Sequence, residues 1–308
     1  MSGRGGAREH FMVRNPQRLW EKLEPADIAV LRVIERLSKK FEYVPVEVLE
    51  KRLQLPPRRV LQALDRLNKS KLVKRGLGSV IGYSLTFYGL NVLAFDGLHR
   101  RGIVEALGDR IGVGKEGEVY LGLAPSGERV VVKFHREGRS SFQRIRRLRS
   151  YLAGVDRKRW HDIAKLLGER EFKILVVLER EGAMVPRPIA WNRNAVVQEY
   201  IPGVELYRVR ELDEDVAKRV LEDVIETIRI AYRRVGVVHG DLSEYNVLVA
   251  ETGRGYVIDW PQYVYKDEPH AGELLERDVR YITSFFKRKF SIDIDYMEVM
   301  AGITGGSP

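Results

Sequence analysis

The chain has 308 residues, a formal net charge of +10 and no cysteine. That length accommodates two domains of roughly 100–200 residues, and the missing cysteines exclude disulfide partners, thiolate metal ligands and cysteine nucleophiles. No run of about 18 apolar residues occurs and the opening MSGRGGAREH lacks the apolar stretch of a secretory signal, so a soluble, cytoplasmic protein with no membrane partner is expected. The charge is segregated. Residues 1–100 carry 19 Lys and Arg against 10 Asp and Glu, and residues 136–160 carry 9 against 2. Two basic surfaces flanking a mildly acidic body suggest a polyanionic partner, because Lys and Arg release counterions from a phosphate backbone. A merely solvated basic face is the competing reading.

In chain order, the first element is a helix from Asp27 to Leu37 with Ile28, Leu31, Ile34 and Leu37 on one face. A shorter helix carries Val46, Leu49 and Leu53. Pro56 and Pro57 open a third, whose Val60, Leu61, Leu64 and Leu67 point inward and whose Arg58, Arg59, Arg66 and Lys69 stay outside. The segment LVKRGLGSVIGYSLTFYG then alternates like two strands around Gly76 and Gly78, a hairpin carrying Lys74 and Arg75. This order resembles a winged helix-turn-helix, in which the third helix enters a groove while the wing touches phosphates. Arg58, Arg59, Arg66, Lys74 and Arg75 are therefore the candidate nucleic-acid contacts, with protein docking as the alternative use of such a domain. Asp96 to Arg101 reads as a connector.

At Ile111 the pattern changes to IGVGKEGEVYLGLAPSGERVVVKFH, a strand entering a glycine turn and leaving by a second strand. Gly112, Gly114 and Gly117 let backbone N–H groups approach a triphosphate, with Lys115 in the same loop, and Val119 stands where an apolar side chain would cover adenine. Lys133 ends an apolar strand at a spacing that reaches the α- and β-phosphates. HGDLSEYNVLV follows, and Asp259 in YVIDWPQ lies thirteen residues after Asn246. In this kinase spacing Asp241 orients or deprotonates the attacking hydroxyl, while Asn246 and Asp259 are oxygen ligands for magnesium. Lys, Asp, Asn and Asp in this order after a glycine loop are hard to reconcile with turn residues alone.

Residues 111 to about 290 resemble the RIO family of atypical protein kinases, on GVGKEGEVY, VVVKFHREGRSSF, HGDLSEYN and IDWPQ. The N-terminal winged helix points to the branch of the family that bears that domain. Gly240 where conventional kinases have Arg, and Pro261 where they have Gly, fit the family, whereas Gly117 departs from its Ser or Ala and is expected to make the phosphate loop more flexible. The resemblance implies an α+β chain: a winged helix over 1–95, then a kinase domain over 96–308, with a small lobe at about 105–200 and a reduced large lobe at about 201–308. It also implies that Glu171 pairs with Lys133, that Glu199 carbonyl and Ile201 amide bind the adenine edge, and that Gln198 gates the back of the pocket. ATP and Mg²⁺, with Mn²⁺ as a substitute, are the implied cofactors.

Only 49 residues follow Asp259, too few for a conventional peptide-binding lobe. The resemblance implies instead a serine/threonine kinase or ATPase that matures the small ribosomal subunit by cycling on and off its precursor. Asp259, Ser140, Ser141 and Ser150 are the candidate phosphoacceptors. In the basic block, Arg144, Arg146, Arg147 and Arg149 are further contacts for ribosomal RNA. Two other functions compete: a small-molecule phosphotransferase of the aminoglycoside or choline kinase type, and an ATP-liganded nucleic-acid-binding regulator.

Overall fold

The structure is a computed structural model that describes residues 15–78, 81–114, 117–136 and 160–305. Lys115, Ser140, Ser141, Ser150, Arg144, Arg146, Arg147 and Arg149 lie outside the described residues.

The N-terminal part contains α1 (Pro16–Trp20), α2 (Pro25–Leu37), α3 (Val46–Leu53) and α4 (Pro57–Lys69). Strands β1 (Val44–Pro45), β2 (Val73–Arg75) and β3 (Gly82–Leu85) form an antiparallel sheet in the order β1-β3-β2. Its core contains Leu31, Ile34, Leu49, Val60, Leu64 and Leu67. Leu61 does not join them: it is 52% exposed, and Ala63 is buried instead. The inward stripe of α4 follows the i, i+3, i+4, i+7 rows through Val60, Ala63, Leu64 and Leu67, and Leu61 falls about 100° to one side.

Asp96 to Arg101 is not a connector. These residues close α5 (Phe87–Arg100), whose Thr86 cap accepts from Gly89 N–H at 3.2 Å. The helix is apolar nearly all round because it is covered on both sides. Val92 and Leu93 lie in the N-terminal core, while Ala94, Phe95 and Leu98 lie in the core of the next unit. Position 95 is thus interior to one helix that both units share. Asp96 is buried and accepts hydrogen bonds from Trp20 Nε1 (3.2 Å) and Arg32 (2.5 Å).

The second unit opens with β4 (Ala106–Gly114), β5 (Gly117–Leu123) and β6 (Arg129–His135). With β7 (Pro188–Asn192) and β8 (Ala195–Glu199) they make an antiparallel five-stranded sheet in the order β4-β5-β6-β8-β7. Helix α6 (Trp160–Arg180) packs on this sheet. Its later residues Ile174, Leu175 and Leu178 enter the core below, built from α7 (Glu214–Ile230), α8 (Ala271–Phe290) and α9 (Tyr296–Thr304). Three short strands carry the functional loops of that lower lobe: β9 (Gly203–Glu205), β11 (Val247–Ala250) and β12 (Gly255–Val257), in the order β12-β11-β9. Beside them β10 (Val237–Val238) pairs with β13 (Val264–Tyr265).

A polar seam ties the N-terminal unit to the small lobe. Glu35 of α2 receives Arg193 Nε and Nη2 at 2.8–3.0 Å and Lys165 of α6 at 2.7 Å. Burial alone would raise the Glu35 carboxyl, but Arg193 and Lys165 outweigh it and hold it below the usual carboxylate range. Ser38 and His161 meet at 2.9 Å, and Asn194 Nδ2 donates to Asn91 Oδ1 at 2.8 Å.

Candidate active site

The phosphate hairpin is β4 and β5, in register from Gly112 opposite Val119 to Gly114 opposite Gly117. Gly117 also pairs with His135, and a Cβ there would sit 2.4 Å from Phe134 O. Close approach of two strands therefore requires glycine at this position. Val119 stands opposite Lys133 in the adjacent strand, so their side chains share one face of the sheet.

Lys133 is where the three parts of the site converge. It donates to Glu171 Oε1 of α6 at 2.7 Å and also to Asp259. Burial would pull the Lys133 ammonium down, yet Asp259 and Glu171 outweigh it and hold the group above its ordinary value. Burial likewise pushes Glu171 up, and Lys133 and His135 reverse this, leaving its carboxyl well below the usual range. Both groups are therefore charged at neutral pH. A second partner was missed from the sequence: His135 Nε2 lies 2.6 Å from Glu171 Oε2. Strand alternation could have found it, because Lys133 and His135 are two apart on β6 and project to one face. Arg170 was missed as well. It donates to Pro261 O (3.3 Å) and Tyr263 O (2.7 Å), and its guanidinium lies 4.1 Å from the Tyr263 ring, so α6 grips the segment after Asp259 directly.

The catalytic loop is set by backbone geometry. Gly240 has φ +80°, in the left-handed region, which explains a glycine after the loop histidine. Its N–H donates to Asp278 Oδ2 at 2.7 Å, and Arg277 donates to its carbonyl. Asp278 is 1% exposed. Burial raises its pKa, with His239 and Arg277 opposing. It lies 37 residues beyond Asp241, where no spacing rule pointed to it. His239 Nε2 donates to Ile258 O at 3.1 Å and Nδ1 accepts from Asp241 N–H at 3.3 Å, joining the catalytic loop to the strand before Asp259. Asn246 Nδ2 donates to Asp241 O at 2.8 Å and Asn246 O accepts from Ile258 N–H at 2.9 Å. With its amide nitrogen engaged, Asn246 has Oδ1 to offer a cation, alongside the Asp259 carboxylate. Two hard oxygen donors on adjoining loops suit magnesium. Asp259 has φ +69°, a conformation that Asp tolerates better than most residues.

The remaining predicted residues fall as follows. Glu199 ends β8, where its side chain accepts from Arg187 N–H at 2.8 Å, and Ile201 follows it into the lower lobe. Gln198 lies between Val131 and Pro188 on the same sheet. In the N-terminal unit Arg58, Arg59, Lys74 and Arg75 are exposed. Arg66 ion-pairs with buried Asp27 at 2.9 Å and with Glu24 at 3.0 Å, and its side chain stays 36% exposed.

A five-stranded small lobe, a lysine–glutamate pair and a catalytic loop beside a metal-loop aspartate define a protein-kinase-like phosphotransferase with a reduced large lobe. Family profiles agree in detail. The RIO domain profile matches residues 118–299, and the profile for the N-terminal region of Rio2 matches residues 20–101. The RIO-type serine/threonine-protein kinase Rio2 of Methanocaldococcus jannaschii is 40% identical over 259 residues, covering 83% of this chain and 93% of the relative. The rio2 kinase of Schizosaccharomyces pombe is 32% identical over 270 residues, covering 87% and 77%. Among solved structures, the Rio2 kinase–ADP/Mg²⁺–phosphoaspartate complex from Chaetomium thermophilum aligns with a TM-score of 0.77 at 31% identity, over 93% of this chain and 88% of that one. The chain belongs to the RIO family, in its winged-helix branch, and is an atypical serine/threonine protein kinase.

Proposed function

We propose that this kinase uses ATP and Mg²⁺, cycles through self-phosphorylation or ATP hydrolysis, and acts in the cytoplasm in maturation of the small ribosomal subunit. The observation that carries the phosphotransfer reading is the placement of Lys133 between Glu171 and Asp259, with Asn246 and Asp241 on the adjoining loop. Lys133 and the β4–β5 hairpin would hold the phosphates, and Glu199 and Ile201 the adenine edge. Asn246 and Asp259 would hold Mg²⁺, which would supply positive charge to offset the negative charge developing during transfer. Asp241 would align a hydroxyl and receive its proton. If Asp259 is itself the acceptor, its carboxylate oxygen bonds to the γ-phosphorus as the bond to ADP breaks, and no proton needs to move. Metal binding and nucleophilicity then compete at one side chain, which suits slow switching rather than rapid turnover.

The basic surface supports an RNA partner. Arg58, Arg59, Lys74 and Arg75 would contact ribosomal RNA phosphates, with Arg144, Arg146, Arg147 and Arg149 as a second patch. The test is incubation with γ-labelled ATP and Mg²⁺, with and without small-subunit precursors, comparing the wild type with Asp241→Asn. Released phosphate or protein-bound label that the substitution abolishes supports the reading, and hydroxylamine-labile label identifies an aspartyl phosphate. Wild-type protein that binds ATP yet neither labels nor hydrolyses would refute it.

A further inference from the structure

Glu171 is held at both ends. One carboxylate oxygen takes Lys133 at 2.7 Å, and the other takes His135 Nε2 at 2.6 Å. A carboxylate only accepts, so Nε2 carries the hydrogen. The imidazole is 0% exposed, and its Nδ1 has no hydrogen-bond partner among the described residues. Burying a ring nitrogen without a partner is unfavourable, and Phe or Leu would fill similar space without that penalty. What the imidazole adds is the N–H to Glu171.

The backbone of His135 is fixed in turn from the N-terminal unit. Its N–H donates to Asn194 O at 2.8 Å, and Asn194 Nδ2 donates to His135 O at 2.9 Å and to Asn91 Oδ1 at 2.8 Å. Asn91 belongs to α5 and, like Asn194, is 0% exposed. A continuous buried chain therefore runs from α5 through the β7–β8 turn to His135, Glu171 and Lys133.

We infer that His135 is a positioning residue for phosphoryl transfer: it locks the Glu171 carboxylate in the orientation that presents Lys133 to the nucleotide phosphates, and α5 sets His135 through Asn194 and Asn91. A terminal carboxylate torsion is broad and roughly two-fold, so one hydrogen bond alone leaves it loosely oriented. Lys133 has a competing partner in Asp259. Loosening Glu171 shifts the ammonium towards that aspartate, away from the phosphates. The winged-helix unit is by this reading a working part of the kinase site.

The inference rests on the phosphotransfer reading, and one experiment separates the two. γ-Phosphate transfer from ATP is measured on the full chain for the wild type, His135→Phe, His135→Gln, Glu171→Ala and His135→Phe/Glu171→Ala, with Asp241→Asn alongside. Loss of one hydrogen bond to a charged group lowers kcat/KM for ATP about tenfold in His135→Phe. His135→Gln, which keeps an N–H donor, recovers most of that loss. In the Glu171→Ala background His135→Phe adds less than about twofold, because the group it positions is gone. Losses that multiply in the double variant, or full activity in His135→Phe, would overturn the inference alone. Asp241→Asn as active as the wild type would overturn the kinase reading and the inference with it. Should His135→Phe fail to fold, Asn91→Ala takes its place in the same cycle: a loss of about twofold or more that vanishes with Glu171→Ala supports the inference, and no loss or a multiplicative one refutes it.

Discussion

Glu35→Ala tests whether the winged-helix unit and the kinase lobes form one cooperative structure. The carboxylate receives two nitrogens of Arg193 at 2.8–3.0 Å and Lys165 at 2.7 Å. Side-chain exposure is 13% for Glu35, 23% for Arg193 and 27% for Lys165. These pairs are neither the solvent-screened kind, worth about 0–1 kcal/mol, nor fully buried, where removing one partner costs about 3–5 kcal/mol. Arg193 retains Leu93 O and Asn192 Oδ1 as acceptors after the substitution, which moderates the loss. An intermediate value of about 2 kcal/mol follows. At roughly 2 °C per kcal/mol for a chain this long, the thermal midpoint falls by about 4 °C. The assay is thermal unfolding by near-ultraviolet circular dichroism, with Lys69→Ala as control, since the Lys69–Asp65 pair is exposed on both sides and worth little. ATP-dependent transfer falls in the same variant, because Lys165 is on the helix that carries Glu171. A shift in Glu35→Ala no larger than in Lys69→Ala, or independent unfolding of the two units in the wild type, would refute the reasoning.

Gly117→Val places a Cβ against Phe134 O and forces β5 and β6 apart; ATP affinity, measured by calorimetry, should fall about tenfold or more through the displaced hairpin. Arg170→Leu removes two hydrogen bonds and the stacking on Tyr263, a loss of about 2–4 kcal/mol read from denaturant unfolding, and slows transfer by freeing the segment after Asp259. For pH, Glu35 and Glu171 both have depressed folded-state pKa values. The stability they contribute is present above the ordinary carboxylate value of 4.5 and is lost as the pH falls through their folded values. Between pH 7 and 3 the wild type should therefore lose more stability than Glu35→Gln, and equal losses would contradict that assignment.

The sequence by itself determined a good deal of this. Periodicity marked α2, α3, α4 and the wing, since each buries one apolar face against a single core. The glycine hairpin, Lys133, HGDLSEYN and IDW were legible because phosphate chemistry constrains residue types at short, fixed spacings. Glu171 came from resemblance to the RIO family rather than from any local pattern. What only the tertiary structure decided involves partners distant in the chain. Helix α5 was unreadable as a helix because it is covered on two sides, which removes the polar face that periodicity detects. The pairing of Arg66 with Asp27, 39 residues away, was set by folding alone. Asp278 is fixed on Gly240 across 38 residues, and Asn91 reaches the kinase sheet across 103 residues. Hydrogen bonds of that range leave no spacing in the sequence, because the distance between the groups is set by the packing of whole elements and not by the residues between them.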